Sequence, residues 1–209
     1  MNTMRVLSTA AFVAAIAVTS VSAQQPQTQR VRGVIEKVDG NTLLIKAPTG
    51  GAPVTLKLTD NALVVGVVKA TVADIKEGSY IGSGALPQPD GTQKAVEVHI
   101  FAESQRGTGD GHRGNWDGSP YGAGIGTMTN GAAGQAVSSV DGPVITVKYK
   151  DGEKKVIVGP NVPIVRYEVG DRGELKPGAA VSVVAATKNP DGTFGAARIN
   201  VGRNGVVPM

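Results

Sequence analysis

Four landmarks recur at an almost constant spacing, and they constrain this chain more than anything else in it. Val38-Asp39-Gly40 returns as Val140-Asp141-Gly142, and Asp60-Asn61 as Pro160-Asn161. Ile75-Lys76-Glu77-Gly78 returns as Leu175-Lys176-Pro177-Gly178, and Pro89-Asp90-Gly91-Thr92 as Pro190-Asp191-Gly192-Thr193. The offsets run from 100 to 102 residues. Solenoid repeats span roughly 20–50 residues. A period of this length suits two small domains in tandem.

Each copy reads as strands. Val31 to Val38 is a first strand, ended by the turn dipeptide Asp39-Gly40. Leu43, Ile45 and Ala47 alternate with Leu44 and Lys46, and Val54, Leu56 and Leu58 alternate with Thr55 and Lys57. Period-two alternation marks half-buried strands. Leu63 to Val68 is a short β-branched run, and Asp74 to Gly78 a turn closed by glycine. Tyr80 to Leu86 and Lys94 to Phe101 flank the Pro89-Asp90-Gly91 turn. The second copy follows with Ile145, Val147 and Tyr149 on one face, Val156 to Val158, and a hairpin of Val181 to Ala186 with Ala196 to Val201. No stretch after the first 23 residues reads as a helix.

Turn signals at intervals of about 8–12 residues predict an all-β chain. The expected architecture is two tandem small closed β-barrels, OB-like, of about five to six strands each, joined by a Gly-rich loop. The expected boundaries are a signal peptide at 1–23, a polar linker at 24–30, a first barrel at 31–102, an interdomain loop at 103–134 and a second barrel at 135–209. The two barrels are expected to close independently and to superpose.

A strand ending Val-Asp-Gly, a Leu-Lys-Pro-Gly turn and a final Asp-Gly hairpin leading to Ala-x-x-Ile resemble the exported bacterial domain of unknown function numbered 5666. The second copy carries the pattern more fully, at Val140 to Gly142, Leu175 to Gly178 and Asp191 to Ile199; the first departs at Ile75 and Glu77. The resemblance covers most of each copy, implies an exported small β-barrel and implies no activity. The stretch from Arg106 to Arg113, with Trp116 and Asp117 after it, looks like an element of two-copy proteobacterial relatives. Some of those are described as metal transporter permeases. A chain without membrane spans resembles at most a soluble accessory to one.

The N-terminus reads as a secretory signal. Arg5 supplies a positive start, Val6 to Val18 an apolar run, and Val21-Ser22-Ala23 the small residues that a signal peptidase needs. The run is short for about 30 Å of hydrocarbon, so the expectation is cleavage, a periplasmic or secreted product and no transmembrane span afterwards. The absence of cysteine rules out disulfide staples. The chain carries 21 Lys and Arg against 17 Asp and Glu, scattered rather than clustered. A nucleic-acid binder needs a basic patch, and an OB barrel that binds single strands needs stacking aromatics on its strands. The first three strands of the first copy have none, so no nucleic acid is expected.

The middle stretch holds the candidate chemistry. Gly109-Asp110-Gly111-His112-Arg113-Gly114 spells the dinucleotide fingerprint, but Asn115-Trp116-Asp117-Gly118-Ser119-Pro120 follows where that fingerprint requires a helix. Asp110, His112 and Asp117 offer an imidazole and two carboxylates to a metal, a thin set beside the four Cys or His ligands of a structural zinc site. Arg106, His112, Arg113, Trp116 and Asp117 are residues that a plain Gly/Ser spacer does not need. They are expected to form an ordered interaction loop anchored by Trp116, with 118–134 as its flexible remainder. Glu97 and His99 share a strand face opposite Val96, Val98 and Ile100 and are expected to face solvent. No cofactor is implied. The chain lacks a Gly-x-Ser-x-Gly elbow, a His-Glu-x-x-His pair and any cysteine nucleophile, so no enzyme is expected. The function expected is a non-enzymatic periplasmic binding or interaction module for an envelope protein or a small ligand. The alternative is a soluble metal-handling accessory using the middle loop.

Overall fold

A computed structural model describes residues 28–48, 50–116 and 126–208. Among them there is no α-helix, only three short 3-10 turns between strands, and so no helix long and apolar enough to cross a membrane. The strands are β1 (Thr28–Asp39), β2 (Thr42–Lys46), β3 (Val54–Ala70), β4 (Tyr80–Pro87), β5 (Gln93–Ile100), β6 (Gly111–Trp116), β7 (Gly126–Ala133), β8 (Val144–Tyr149), β9 (Gly152–Ile157), β10 (Ile164–Val169), β11 (Ala180–Lys188) and β12 (Phe194–Gly202).

The alternation read from the residues sets which face goes inward. Leu43 and Ile45 are buried while Lys46 is exposed, and Leu56 and Leu58 are buried while Lys57 is exposed. Repeated turn residues build repeated turns. Asp90 Oδ1 accepts hydrogen bonds from the Thr92 amide at 2.9 Å and its hydroxyl at 2.7 Å. Asp191 holds Thr193 in the same way, at 2.9 and 2.6 Å. Gly91 and Gly192 sit at φ +84° and +82°, the left-handed region that a side chain disfavours.

The pairing of the strands departs from the tandem expectation. A closed five-stranded barrel runs β1-β2-β3-β12-β11 and back to β1. Its first three strands belong to the first copy and its last two to the second. The other lobe runs β4-β5-β9-β8-β7 and back to β4, and it takes β4 and β5 from the first copy. Its ends meet through two parallel residue pairs, Gln93 with Val156 and Lys94 with Ile157. Residues 31–102 and 135–209 therefore do not each close on themselves: the copies have exchanged their last hairpins.

The exchange has a local cause. β3 does not stop near Asp60 but runs on to Ala70, and its second half pairs antiparallel with β10. After a register shift between Leu58 and Leu63 this run stays paired with β12 as far as Val67 while it reaches β10, and the turn after it delivers β4 and β5 to the other lobe. The hand-over is made twice with the same hydrogen bonds. The Gly78 amide donates to Ala133 O at 2.7 Å and the Ala133 amide to Ser79 O at 2.8 Å. In the other half the Gly178 amide donates to Ile35 O at 2.8 Å and the Ile35 amide to Ala179 O at 2.9 Å.

Two boundaries shift as well. β1 starts at Thr28, inside the expected linker, and its N-terminal residues pair with β11. The expected interdomain loop contains β6 and β7, and β7 is the second copy's equivalent of β1. Residues 126–133 are thus strand rather than tether.

Each lobe has its own core. Ile35, Leu43, Ile45, Leu56, Val181 and Ile199 fill the barrel. Ile81, Val98, Ile145, Val147 and Val156 fill the second lobe. A third, smaller cluster of Val65, Val67, Val165 and Tyr167, with Phe101 and Val206 against it, lies where β3 meets β10. Burial of about 25 cal/mol per Å² of apolar surface at this junction holds the lobes as one body.

Candidate functional site

The exchange brings two outer strand faces together. The barrel contributes the outer face of β1, β11 and β12, carrying Arg30, Ser182, Arg198 and Asn200. The second lobe contributes the equivalent face of β7, β4 and β5, carrying Met128, Asn130, Glu97 and His99. Between them lies a cavity of about 670 Å³, within the range of roughly 300–1,000 Å³ usual for small-ligand sites. Tyr167 and Phe101 also line it, and Trp116 and Arg113 stand at its β6 side.

Glu97 and His99 lie on this buried face, not in solvent: they are 2% and 7% exposed. The alternation holds at Val98 and Ile100, which enter the core, and breaks at a register shift on β5, where Ala95 rather than Val96 goes inward. What the pattern could not show is that the opposite face is covered by the other lobe. Copy equivalence puts Arg198 where the first copy has Glu97, and Asn200 where it has His99. The two faces carry complementary chemistry because the copies diverged at these positions.

Burial dominates the electrostatics. It pushes the Glu97 carboxyl up to about 7, against the opposing pull of Arg30 and Arg32. Burial pushes His99 down to about 3, and the charges of Arg30, Arg198 and Arg32 lower it further. His99 is therefore a neutral imidazole at neutral pH. Its Nε2 lies 3.4 Å from Glu97 Oε1 but makes no hydrogen bond, so this close approach is not an ion pair. The ring stacks on Tyr167 with centroids 5.2 Å apart, and Phe101 meets the Tyr167 ring edge-on at 5.3 Å. The Arg198 guanidinium lies 5.5 Å from the Tyr167 ring centroid, and burial lowers its pKa. Asn200 Nδ2 donates to Ser182 Oγ at 3.4 Å.

Trp116 is half-buried at the end of β6 and lies on backbone that glycine leaves bare. A Cβ on Gly84 would come within 2.3 Å of the indole, and one on Gly126 within 3.1 Å. The second copy has Val184 where the first has Gly84. Arg30 reaches across from the barrel, its guanidinium 5.9 Å from the indole centroid.

The other loop residues are held by contacts of their own. Arg106 Nη2 donates to Glu103 Oε2 at 2.8 Å and to Gly78 O at 2.9 Å, with its guanidinium over Tyr80. Arg113 Nη2 donates to Gly109 O at 2.8 Å. Asp110 accepts from the Lys150 amide at 2.8 Å and from the Tyr80 hydroxyl at 3.1 Å. Burial and then that carboxylate push the Tyr80 phenol up to about 12. His112 Nδ1 shares a hydrogen bond with Thr129 Oγ1 at 2.8 Å, and its ring lies over Tyr149. Asp117 falls outside the described residues. Asp110 and His112 are each occupied with their own partners, and no group of three His, Cys, Asp or Glu that could hold a metal occurs among the described residues.

The residue pattern does not by itself single out Arg30, Arg198 or Tyr167. Arg30 stood in the expected linker. Tyr167 lies in β10, a strand outside the alternating runs of the second copy. For Arg198 a signal existed: an arginine replacing a glutamate at an equivalent place in a repeat points to two faces that meet rather than to two independent surfaces. No family model, curated protein or solved structure matches this chain.

Proposed function

We propose that this chain is an exported, non-enzymatic binding module that holds a small ligand between its two lobes. Export rests on the signal-like residues 1–23. The observation that carries the binding reading is the cavity itself. It is lined by aromatic and apolar surface with a few convergent polar groups, the composition usual for ligand sites. Three of the lining atoms, Arg30 Nη1, His99 Nε2 and Asn130 Oδ1, are buried without a hydrogen-bond partner. A buried polar atom left unpaired costs roughly 1–3 kcal/mol, which a ligand would recover. A catalytic reading draws no support from His99, whose Nε2 meets no nucleophile, the contact that general-base activation requires. The metal-handling reading rests on Asp110, His112 and Asp117, of which Asp110 and His112 hydrogen-bond within the protein.

The test is a chemically diverse set of small molecules, read by melting temperature and by the emission of Trp116, the only tryptophan. A ligand that binds the folded state must raise the melting temperature. Hits should be lost when the cavity is filled by Ala197→Phe, a substitution at an exposed lining position. If every hit survives that substitution, or no compound shifts the protein, the binding reading fails.

A further inference from the structure

Resting on that reading, the lining of the cavity narrows the class of ligand. Arg30 and Arg198 line it, with Glu97 as the carboxyl group among its lining residues. Arg32 is near enough for its charge to act on both Glu97 and His99. Positive charge on this wall exceeds negative. The contrast with Arg203 in the same protein is instructive. Arg203 holds Glu174 through two nitrogens at 2.7 and 2.8 Å, Glu168 at 2.7 Å and a backbone carbonyl at 2.9 Å. Arg30, by contrast, keeps a buried Nη1 with no hydrogen-bond partner. The Nε of Arg198 reaches Asn200 Oδ1 at 3.4 Å, a long contact for a charged donor.

The second feature is flat apolar surface. Arg30 lies over Trp116 and Arg198 over Tyr167, so each guanidinium stands beside an aromatic face. A bare inorganic anion would use the arginines and leave the aromatic walls unfilled. A neutral aromatic would fill the walls and leave Arg30 Nη1 unpaired.

We propose that the cavity takes a small organic anion, a flat apolar body bearing one carboxylate or phosphate group, with the anionic group at Arg30 and Arg198 and the body against Trp116 and Tyr167. Glu97 does not oppose this. Its carboxyl is held near neutrality by burial, so it takes up a proton when a second negative charge enters. The groups around it are Arg30 and Arg32 of β1, His99 of its own strand, Tyr167 of β10 and Arg198 of β12. His99 stays neutral throughout.

The experiment is isothermal titration calorimetry at pH 6.5 with four probes: 2-naphthoate, 2-naphthyl phosphate, the neutral isostere 2-naphthamide, and inorganic phosphate. The expected result is binding of one or both naphthyl anions. Arg30→Gln and Arg198→Gln should each weaken it about tenfold or more, as loss of a charge-assisted hydrogen bond does. Arg198→Lys should keep most of the affinity, and the variants' melting curves show whether they remain folded. Should a variant fail to fold, the salt dependence of the unaltered protein decides, because contact with charged arginines weakens as ionic strength rises. Naphthoate affinity indifferent to salt and to the arginine substitutions overturns the anion assignment. So does naphthamide binding as tightly as naphthoate, and either result leaves the cavity reading standing. Inorganic phosphate binding as tightly as naphthyl phosphate overturns the flat body. Hits from the diverse set that bind the cavity while all four probes fail overturn the class alone. A cavity that binds nothing of any charge sinks both.

Discussion

Val67 and Tyr167 face each other where β3 pairs with β10, and they occupy the same place in the two copies, 100 residues apart. The pairs on either side, Val65 with Val169 and Lys69 with Val165, are likewise related by exchange of the copies. The junction is therefore a point of approximate two-fold symmetry within one chain. The cavity lies beside it, which is why its opposite walls are equivalent strand faces bearing different residues.

The exchange of hairpins predicts how fragments behave. Residues 28–120 hold β1 to β6, and 121–209 hold β7 to β12. Neither fragment can complete the barrel or the second lobe as a monomer, since each lacks two or three strands of each. Mixed, the fragments should associate one to one and regain a cooperative melting transition. Sedimentation with thermal melting checks this; a cooperative, monomeric first fragment would show that the copies can close independently.

Glu97 predicts a pH-dependent stability difference. Its folded pKa of about 7 stands above the ordinary 4.5. Between those values the folded state holds more protons than the unfolded one, so rising pH destabilises the protein through this group. Glu97→Gln removes that loss. Its stability relative to the unaltered protein should grow from pH 4.5 to 7, by at most about 3 kcal/mol at 1.36 kcal/mol per pH unit. His99 acts oppositely, taking protons only when unfolded between pH 3 and 6.5, but it is common to both proteins and cancels. Denaturant melts at pH 5 and 8 read the difference; a flat difference between them counts against the buried carboxyl.

His99→Ala should destabilise, by about 2 kcal/mol, because it removes a buried ring stacked on Tyr167 and leaves a gap. Surface substitutions stay within about 0.5 kcal/mol, so a chemical melt separates the two cases. Glu97→Gln above pH 7 and His99→Ala should move stability in opposite directions although the residues are neighbours on one strand face.

Gly84→Val tests the seat of Trp116. Copying the second half's Val184 into this place puts a side chain where the indole lies, with a Cβ 2.3 Å from it. The indole must leave. Its emission should move to longer wavelength and become accessible to quencher, at a cost of about 1–3 kcal/mol typical of overpacking. Unchanged emission would mean that Trp116 does not rest on Gly84.

The residues themselves determined a good deal of this protein. Alternation at Leu43 and Ile45, and at Leu56 and Leu58, fixed which faces enter the cores, because a strand's side chains alternate whatever strand lies beside it. The Asp90 and Asp191 turns were legible because their hydrogen bonds are local, made within two residues. The repeat announced two equivalent halves. It could not say which half completes which barrel. Two copies of one pattern offer each strand two chemically similar partners, and the choice depends on where the chain travels after Asp60, a matter of β3 continuing to Ala70 and pairing with β10. That choice also made the site. Glu97, His99, Arg30 and Arg198 are ordinary outward-facing residues on their own strands, and burial between the lobes turned them into a cavity wall. Burial of an outer face is a property of what packs against it, so only the tertiary structure could decide it.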